Sequence, residues 1–194
     1  MKPTAIILAA GESRRMGVPK ALLEATPGTT FLAQLIATLA EAGASPLVVL
    51  GAHVDLIRAA HPRISFVLNQ GWARGQLSSV HVGLRAALAQ GATQILVHPI
   101  DAPMISVATA RCVLHALAQS QVVIPTFEGA PGHPLGLEAT AARGVLSSPA
   151  TTLAEAVAAM SPTQVPVDDR AILDNFNSPD AYQLRFGHAP GGCG

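Results

Sequence analysis

The chain has 194 residues, 49% of them hydrophobic and 12% charged, with twelve Lys and Arg against twelve Asp and Glu. That length suits one domain of about 100–200 residues, enough to bury roughly 70% of its unfolded surface without disulfides or a structural metal. The balanced charge contains no long run of either sign. Broad capture of nucleic acid or of an anionic membrane is therefore not expected, and the composition is globular, not disordered.

The apolar run that follows Met1-Lys2-Pro3-Thr4 covers only residues 5–10, too short to span a membrane or to serve as a signal core. Cys112 and Cys193 have no partner at metal-ligand spacing, and Cys193 reads as part of an exposed end. A soluble, cytoplasmic protein is expected.

In chain order, residues 5–8 read as a buried strand followed by a Gly-rich turn. A helical pattern runs over 31–42 and stops at Gly43; a strand over 46–50 follows, then a short helix over 53–60 closed by Pro62. Residues 64–68 are a third strand, 77–89 a helix ending at Gly91, 94–97 a fourth strand, 107–118 a helix and 121–124 a fifth strand. Strand runs apolar on both faces and joined through helices predict a mostly parallel sheet in an α/β sandwich. The rhythm breaks after Pro125. Residues 128–136, dense in Gly and Pro, predict an irregular loop or hairpin, 139–160 a return to helix, and 164–167 a late edge strand. There is no repeat and no linker, so residues 1–187 are expected to form one domain, with 188–194 a flexible tail.

Ligands of an open parallel sheet sit beyond the carboxyl ends of its strands. Two segments lie there: residues 11–20 after the first strand, and Asp101 after the fourth. In Leu8-Ala9-Ala10-Gly11-Glu12-Ser13-Arg14-Arg15-Met16-Gly17-Val18-Pro19-Lys20, small residues and two glycines let backbone N–H groups approach a phosphate chain, while Arg14, Arg15 and Lys20 add positive charge. Lys20 is one of only two lysines, with Lys2. A Walker A loop is excluded because Val18-Pro19-Lys20 follows Gly17, and the dinucleotide fingerprint because Gly11-Glu12-Ser13 lacks its second glycine. Asp101, within His98-Pro99-Ile100-Asp101-Ala102-Pro103, suits a Mg²⁺ ligand at a strand tip, or a turn acid.

The 8–20 segment resembles the signature of the MobA-like nucleotidyltransferases of molybdenum cofactor synthesis, Leu-Ala-Ala/Gly-Gly-x-Ser-x-Arg-Met-Gly-x-x-Lys. The resemblance implies an α/β, Rossmann-like three-layer sandwich of the nucleotide-diphospho-sugar transferase type. It implies that Leu8, Ala9, Ala10, Gly11, Ser13 and Gly17 hold the nucleotide, that Arg15, assisted by Arg14, and Lys20 neutralise phosphates, and that Asp101 ligates Mg²⁺. The 69–80 segment resembles the family's Asn-x-x-Trp-x-x-Gly-Met-x-x-Ser, implying nucleotide contacts from Asn69, Gly75, Ser78 and Ser79. Gln76 replaces the usual methionine, and Ser78 or Ser79 could equally cap a helix. Gly132-His133-Pro134 resembles an acceptor-lining segment of the cytidylyltransferase branch, although a lone His is also often structural.

The end of the chain departs from the pattern. Asn177, in Asn175-Phe176-Asn177-Ser178-Pro179-Asp180, stands where the family typically shows a second metal-binding carboxylate. Its amide oxygen could still ligate Mg²⁺ more weakly, with charge supplied from Asp174 or Asp168-Asp169. Ser178-Pro179 alternatively starts a helix, with Ser178 as cap.

The resemblance implies transfer of a nucleotidyl group from a nucleoside triphosphate to a phosphate-bearing acceptor, with release of pyrophosphate. Ala10 matches the cytidylyl branch, favouring CTP as donor and molybdopterin as acceptor. A sugar-phosphate or other small-molecule nucleotidyltransferase is the alternative, as is a low-turnover binding accessory that serves a molybdoenzyme.

Overall fold

A computed structural model describes residues 2–191; Cys193, with the rest of 192–194, lies outside the described residues. The apolar runs assemble into one mixed sheet in the order β10-β7-β9-β6-β1-β4-β5. Its parallel members are β1 (Thr4–Ala9), β4 (Ser45–Leu50), β5 (Phe66–Leu68), β6 (Gln94–Pro99), β7 (Val122–Phe127) and β10 (Thr163–Pro166). β9 (Leu135–Glu138) runs antiparallel between β6 and β7, and β8 (Ala130–Pro131) pairs antiparallel with β7. A separate small hairpin joins β2 (Glu24–Thr26) to β3 (Thr29–Thr30).

Alternation along β1 sends Ala5, Ile7 and Ala9 to one face and Ile6, Leu8 and Ala10 to the other. The first face packs against α1 (Phe31–Glu41), α2 (Val54–Ala60), α4 (Val107–Ala116) and α7 (Pro179–Phe186); the second against α3 (Gln76–Ala89), α5 (Ala139–Ser147) and α6 (Leu153–Ala158). This is the expected three-layer sandwich. Ile6 and Ile7 are fully buried on opposite faces, and each contributes about 1.5–3 kcal/mol.

Three local expectations change. Residues 139–160 are two helices because Pro149 disfavours helical backbone at Ser148, which is extended at φ −67° and ψ 140°. The chain then restarts α6 with a capping box between Thr152 and Glu155. Gly136 belongs to β9 and not to a loop: a Cβ there would come within 2.7 Å of the Val113 side chain on α4, so the missing side chain admits the helix. β7 also continues through Pro125, whose carbonyl accepts from Gly132 N at 2.9 Å. Ser178 does cap the last helix, accepting from Ala181 N, with Pro179 in its first turn.

The chain moves outward from β1 through β4 to β5, then returns to place β6 on the opposite side of β1. The carboxyl ends of β1 and β6 thus flank a topological switch point, where the loops diverge and leave a crevice.

Candidate functional site

The crevice holds a cleft of about 590 Å³, lined from one side by the loop after β1 and from the other by residues 72–79 and the tip of β6. Leu8, Ala9, Ala10, Gly11, Ser13, Arg14, Arg15 and Lys20 all line it, as do Gly75, Ser79, Asp101 and Asn177. The loop is held in place by its own polar atoms. Ser13, in the left-handed region at φ 55°, accepts from Lys20 N at 3.2 Å through its hydroxyl, and its carbonyl accepts from Met16 N at 2.9 Å. Gly17 lies outside the cleft wall and serves the turn instead, at φ 71°.

Lys20 Nζ donates to Asp101 Oδ2 at 3.0 Å and to Asn177 Oδ1. Both charged side chains of this pair are mostly buried, at 14% and 21% exposure. Asp101 is anchored on two sides: Ile100 N donates to Leu8 O at 3.2 Å, and the Asp101 carbonyl accepts from Phe176 N at 2.9 Å. That second bond brings Asn177, distant in sequence, to Asp101. Arg14 instead donates to Glu12 at 2.6 Å and is 81% exposed, so it stands at the rim beside Arg15.

Asp101 and Asn177 offer hard oxygen donors that converge on one cation, the ammonium of Lys20. Such donors suit Mg²⁺, which keeps several waters and takes one or two carboxylates plus substrate phosphates. Among the described residues no cluster of three His, Cys, Asp or Glu could hold a metal unaided. The residues present therefore fit a metal that shares its shell with water and phosphate.

Asn69 and Ser78 do not line the cleft; their polar atoms are engaged within the loop beside it. Asn69 is buried; its Nδ2 donates to Ser78 Oγ at 2.9 Å and Ser79 Oγ at 3.0 Å, and its Oδ1 accepts from Gly71 N at 2.9 Å. Ser78 Oγ lies 2.7 Å from the Gly75 carbonyl. These groups shape the 69–79 loop from within, and neither serine is the α3 cap, a position taken by Gly75 without a side-chain bond. Trp72, Ala73, Gln76, Glu12 and Ile57 also line the cleft. Trp72 and Gln76 lie within the 69–80 motif, whereas Ile57 on α2 gave no sequence signal beyond its apolar periodicity.

A second cleft of about 310 Å³ adjoins the first and shares Gln76, Pro99, Asp101 and Asn177 with it. Gly132 and His133 line it with residues 172–175, and Pro134 is buried behind them. His133 N donates to Ile172 O at 3.0 Å, which fixes the two walls together. Burial lowers the His133 pKa, opposed by the Asp101 charge. His98 lies beneath, edge-on to His133 with ring centroids 5.8 Å apart. Burial, aided by His133 and opposed by the bond to the Ala102 carbonyl, pushes its pKa down to about 3. The ring is therefore neutral and donates from Nε2 to Ala102 O at 2.7 Å, closing the turn that carries Asp101.

Residues 5–165 match the family described as the MobA-like NTP transferase domain. A probable molybdenum cofactor guanylyltransferase of Opitutus terrae is 38% identical over 107 residues, covering 53% of this chain and 49% of that protein. The molybdenum cofactor guanylyltransferase of Sinorhizobium fredii is 34% identical over 134 residues, covering 68% and 60%. The chain thus spans about half to two thirds of the length of the named relatives it matches. Among solved structures, Rv0371c of Mycobacterium tuberculosis superposes with a TM-score of 0.80 at 24% identity, over 97% of this chain and all of that one. The 2-C-methyl-D-erythritol 4-phosphate cytidylyltransferase of Thermus thermophilus does so with 0.67 at 23% identity, over 96% and 98%. These two likenesses, both under 25% identical, carry the fold alone. With the signature loop, the switch-point crevice and the family match over most of its length, the chain belongs to the MobA-like NTP transferase family.

Proposed function

We propose that this protein transfers a nucleotidyl group from a nucleoside triphosphate to the phosphate of a small-molecule acceptor, with molybdopterin as the acceptor and Mg²⁺ as the metal. The observation that carries the reading is the pair of clefts meeting at Asp101, one walled by the loop after β1 and the other by Gly132 and His133. Two phosphate-bearing ligands, one in each cleft, would bring their reacting ends to one carboxylate.

The acceptor phosphate is anionic at neutral pH and needs no general base. Its oxygen forms the new bond to the α-phosphorus as the α–β bridging P–O bond breaks, and the electron pair leaves with pyrophosphate. The chain's task is alignment and charge neutralisation. Small residues 9–11 let the phosphate chain approach the backbone, and Arg15 and Lys20 stabilise charge on the departing pyrophosphate. Asp101 and Asn177 would hold Mg²⁺, which when bound neutralises phosphate oxygens. Lys20 bonds these same two oxygens; phosphates would draw its ammonium away and free them.

Ala10 favours CTP: its methyl group belongs to the apolar cluster against which Trp72 packs, where the guanylyl branch has glycine. The relatives' names favour GTP as the second reading. Both donors are cytoplasmic metabolites, and among the described residues no helix is long and apolar enough to cross a membrane.

The test is pyrophosphate release with Mg²⁺, comparing CTP, GTP, UTP and ATP with and without molybdopterin, in the wild type and in Asp101→Ala. Acceptor-dependent release with CTP, reduced on the order of a hundredfold or more in the variant, supports the reading. Release with GTP alone moves the donor to the second reading. Tight nucleotide binding without release for any donor would favour a binding accessory of a molybdoenzyme.

A further inference from the structure

The 310 Å³ cleft contains a charge for which phosphate chemistry has no use. Asp174 lines it together with His133, and among the described residues its carboxylate has no hydrogen-bond or ion-pair partner. Arg170 and Arg185 are near enough to favour its charged form, and Asp169 opposes them, but neither arginine comes within 4 Å of it. Burial raises its pKa above the ordinary carboxylate value. A half-buried, unpartnered carboxylate repels the acceptor's phosphate and so belongs at the other end of the acceptor, where it can accept from N–H or O–H donors.

The walls beside it narrow the chemistry. Leu173 is 39% exposed, one of few large apolar side chains left open, and with Pro131 it lines the same cleft. They give an otherwise polar lining one apolar edge, on which a flat heteroaromatic ring can lie with its donor edge at the carboxylate. Gly132 carries no side chain, and a Cβ there would collide with the Ile172 carbonyl, so the glycine lets the 172–175 segment that carries Asp174 approach closely.

From this juxtaposition we infer that Asp174 is a specificity-determining residue that reads the 2-amino-4-oxopyrimidine edge of a pterin ring, its two oxygens accepting from the N3–H and the 2-amino group. The inference rests on the acceptor reading proposed above and gives it a residue. A carboxylate facing two parallel N–H donors makes the bidentate, charge-assisted pairing that a 2-oxo ring cannot match, because the replaced amino group becomes an acceptor.

The test needs no turnover. Pterin and lumazine, the 2-amino and 2-oxo rings, are titrated by fluorescence against the whole protein in wild type, Asp174→Asn and Asp174→Ala. Wild type should prefer pterin by about tenfold, the order expected for hydrogen bonds to a charged group in a half-exposed site. The preference should collapse in both variants, with unfolding midpoints checked to show that the fold is kept. Equal binding of the two rings by wild type, binding of neither, or a preference retained in the variants overturns the inference. Pyrophosphate release tests the parent reading separately, so an active enzyme without ring discrimination would refute Asp174 alone.

Discussion

The imidazole of His98 is fully buried, and its neutral state can be tested through stability. Nε2 donates to the Ala102 carbonyl at 2.7 Å, while Nδ1 is buried without a partner. Protonation would place a charge where nothing can receive its second N–H, and the pKa falls from 6.5 in the unfolded chain to about 3 in the folded one. Between those values the unfolded chain binds a proton that the folded chain refuses. The contribution is therefore whole above the unfolded pKa, shrinks as pH falls from there toward about 3, and is constant below. The slope is about 1.4 kcal/mol per pH unit, so a loss of about 2.7 kcal/mol is expected at pH 4.5. Urea unfolding of wild type and His98→Gln at several values from pH 7.5 to 4.5 measures it, because carboxylates common to both cancel in the difference. Glutamine retains an amide N–H that can reach for Ala102 but cannot titrate. The stability advantage of wild type should shrink, or turn into a deficit, by about 2–3 kcal/mol across that range. A difference independent of pH would refute the buried neutral imidazole and, with it, this account of how the Asp101 turn is held.

Two further outcomes concern the larger cleft. In Gly51→Ala the new methyl group would lie 2.5 Å from Ala10 O and 2.8 Å from Trp72 Cβ, so the loop after β1 or Trp72 must shift. Overpacking of about 1–3 kcal/mol, expressed at the nucleotide wall, should raise the nucleotide KM roughly tenfold or more with a smaller change in kcat, measured by steady-state kinetics. In Lys20→Met the oxygens of Asp101 and Asn177 lose their resident ammonium, and Mn²⁺ titrated by electron paramagnetic resonance in the absence of nucleotide should bind several-fold more tightly. Arg14→Met removes equal charge from the rim, where Arg14 bonds Glu12, and should leave Mn²⁺ affinity nearly unchanged. Equal effects from the two variants would reduce the result to a general field.

Most of the sheet could be read from the sequence because its parallel strands are buried on both faces, as in the 5–8 and 46–50 runs. The crevice followed from the position of the Gly-rich loop and Asp101 after such strands. What sequence could not give came from contacts between distant segments. Gly136 reads as a loop residue until Val113 and Leu117 of α4 and its C-terminal end are seen against its bare Cα. Asn69 and Ser78 lie in a motif that implies nucleotide contacts, yet hydrogen bonds within the 69–79 loop consume their polar atoms. The β2–β3 hairpin has only three and two residues per strand, too few for an alternating pattern to register.

The position of Asn177 shows how the hydrophobic core reaches into the site. Its neighbour Phe176 is 6% exposed, with its ring 5.9 Å from Phe31 and 5.1 Å from Phe186, centroid to centroid. Tyr182 packs in the same cluster and donates through its hydroxyl to the Glu24 carbonyl at 2.9 Å. The backbone of Phe176 meanwhile donates to the Asp101 carbonyl. One residue thus joins an aromatic cluster on the α1 and α7 side of the sheet to the carboxylate at the switch point. The side chains beside it meet both clefts: Asn177 accepts from Lys20 and donates to Asn175 Oδ1, while Asn175 and Asp174 line the smaller cleft. Asn177 carries no charge, so with Lys20 and Asp101 it forms a set that is already neutral. A second carboxylate there would leave that set negative and in need of a cation before any substrate arrived. With an amide, the proposed divalent ion would be called for only once phosphates displaced the lysine, so under the proposed function metal binding should follow nucleotide binding.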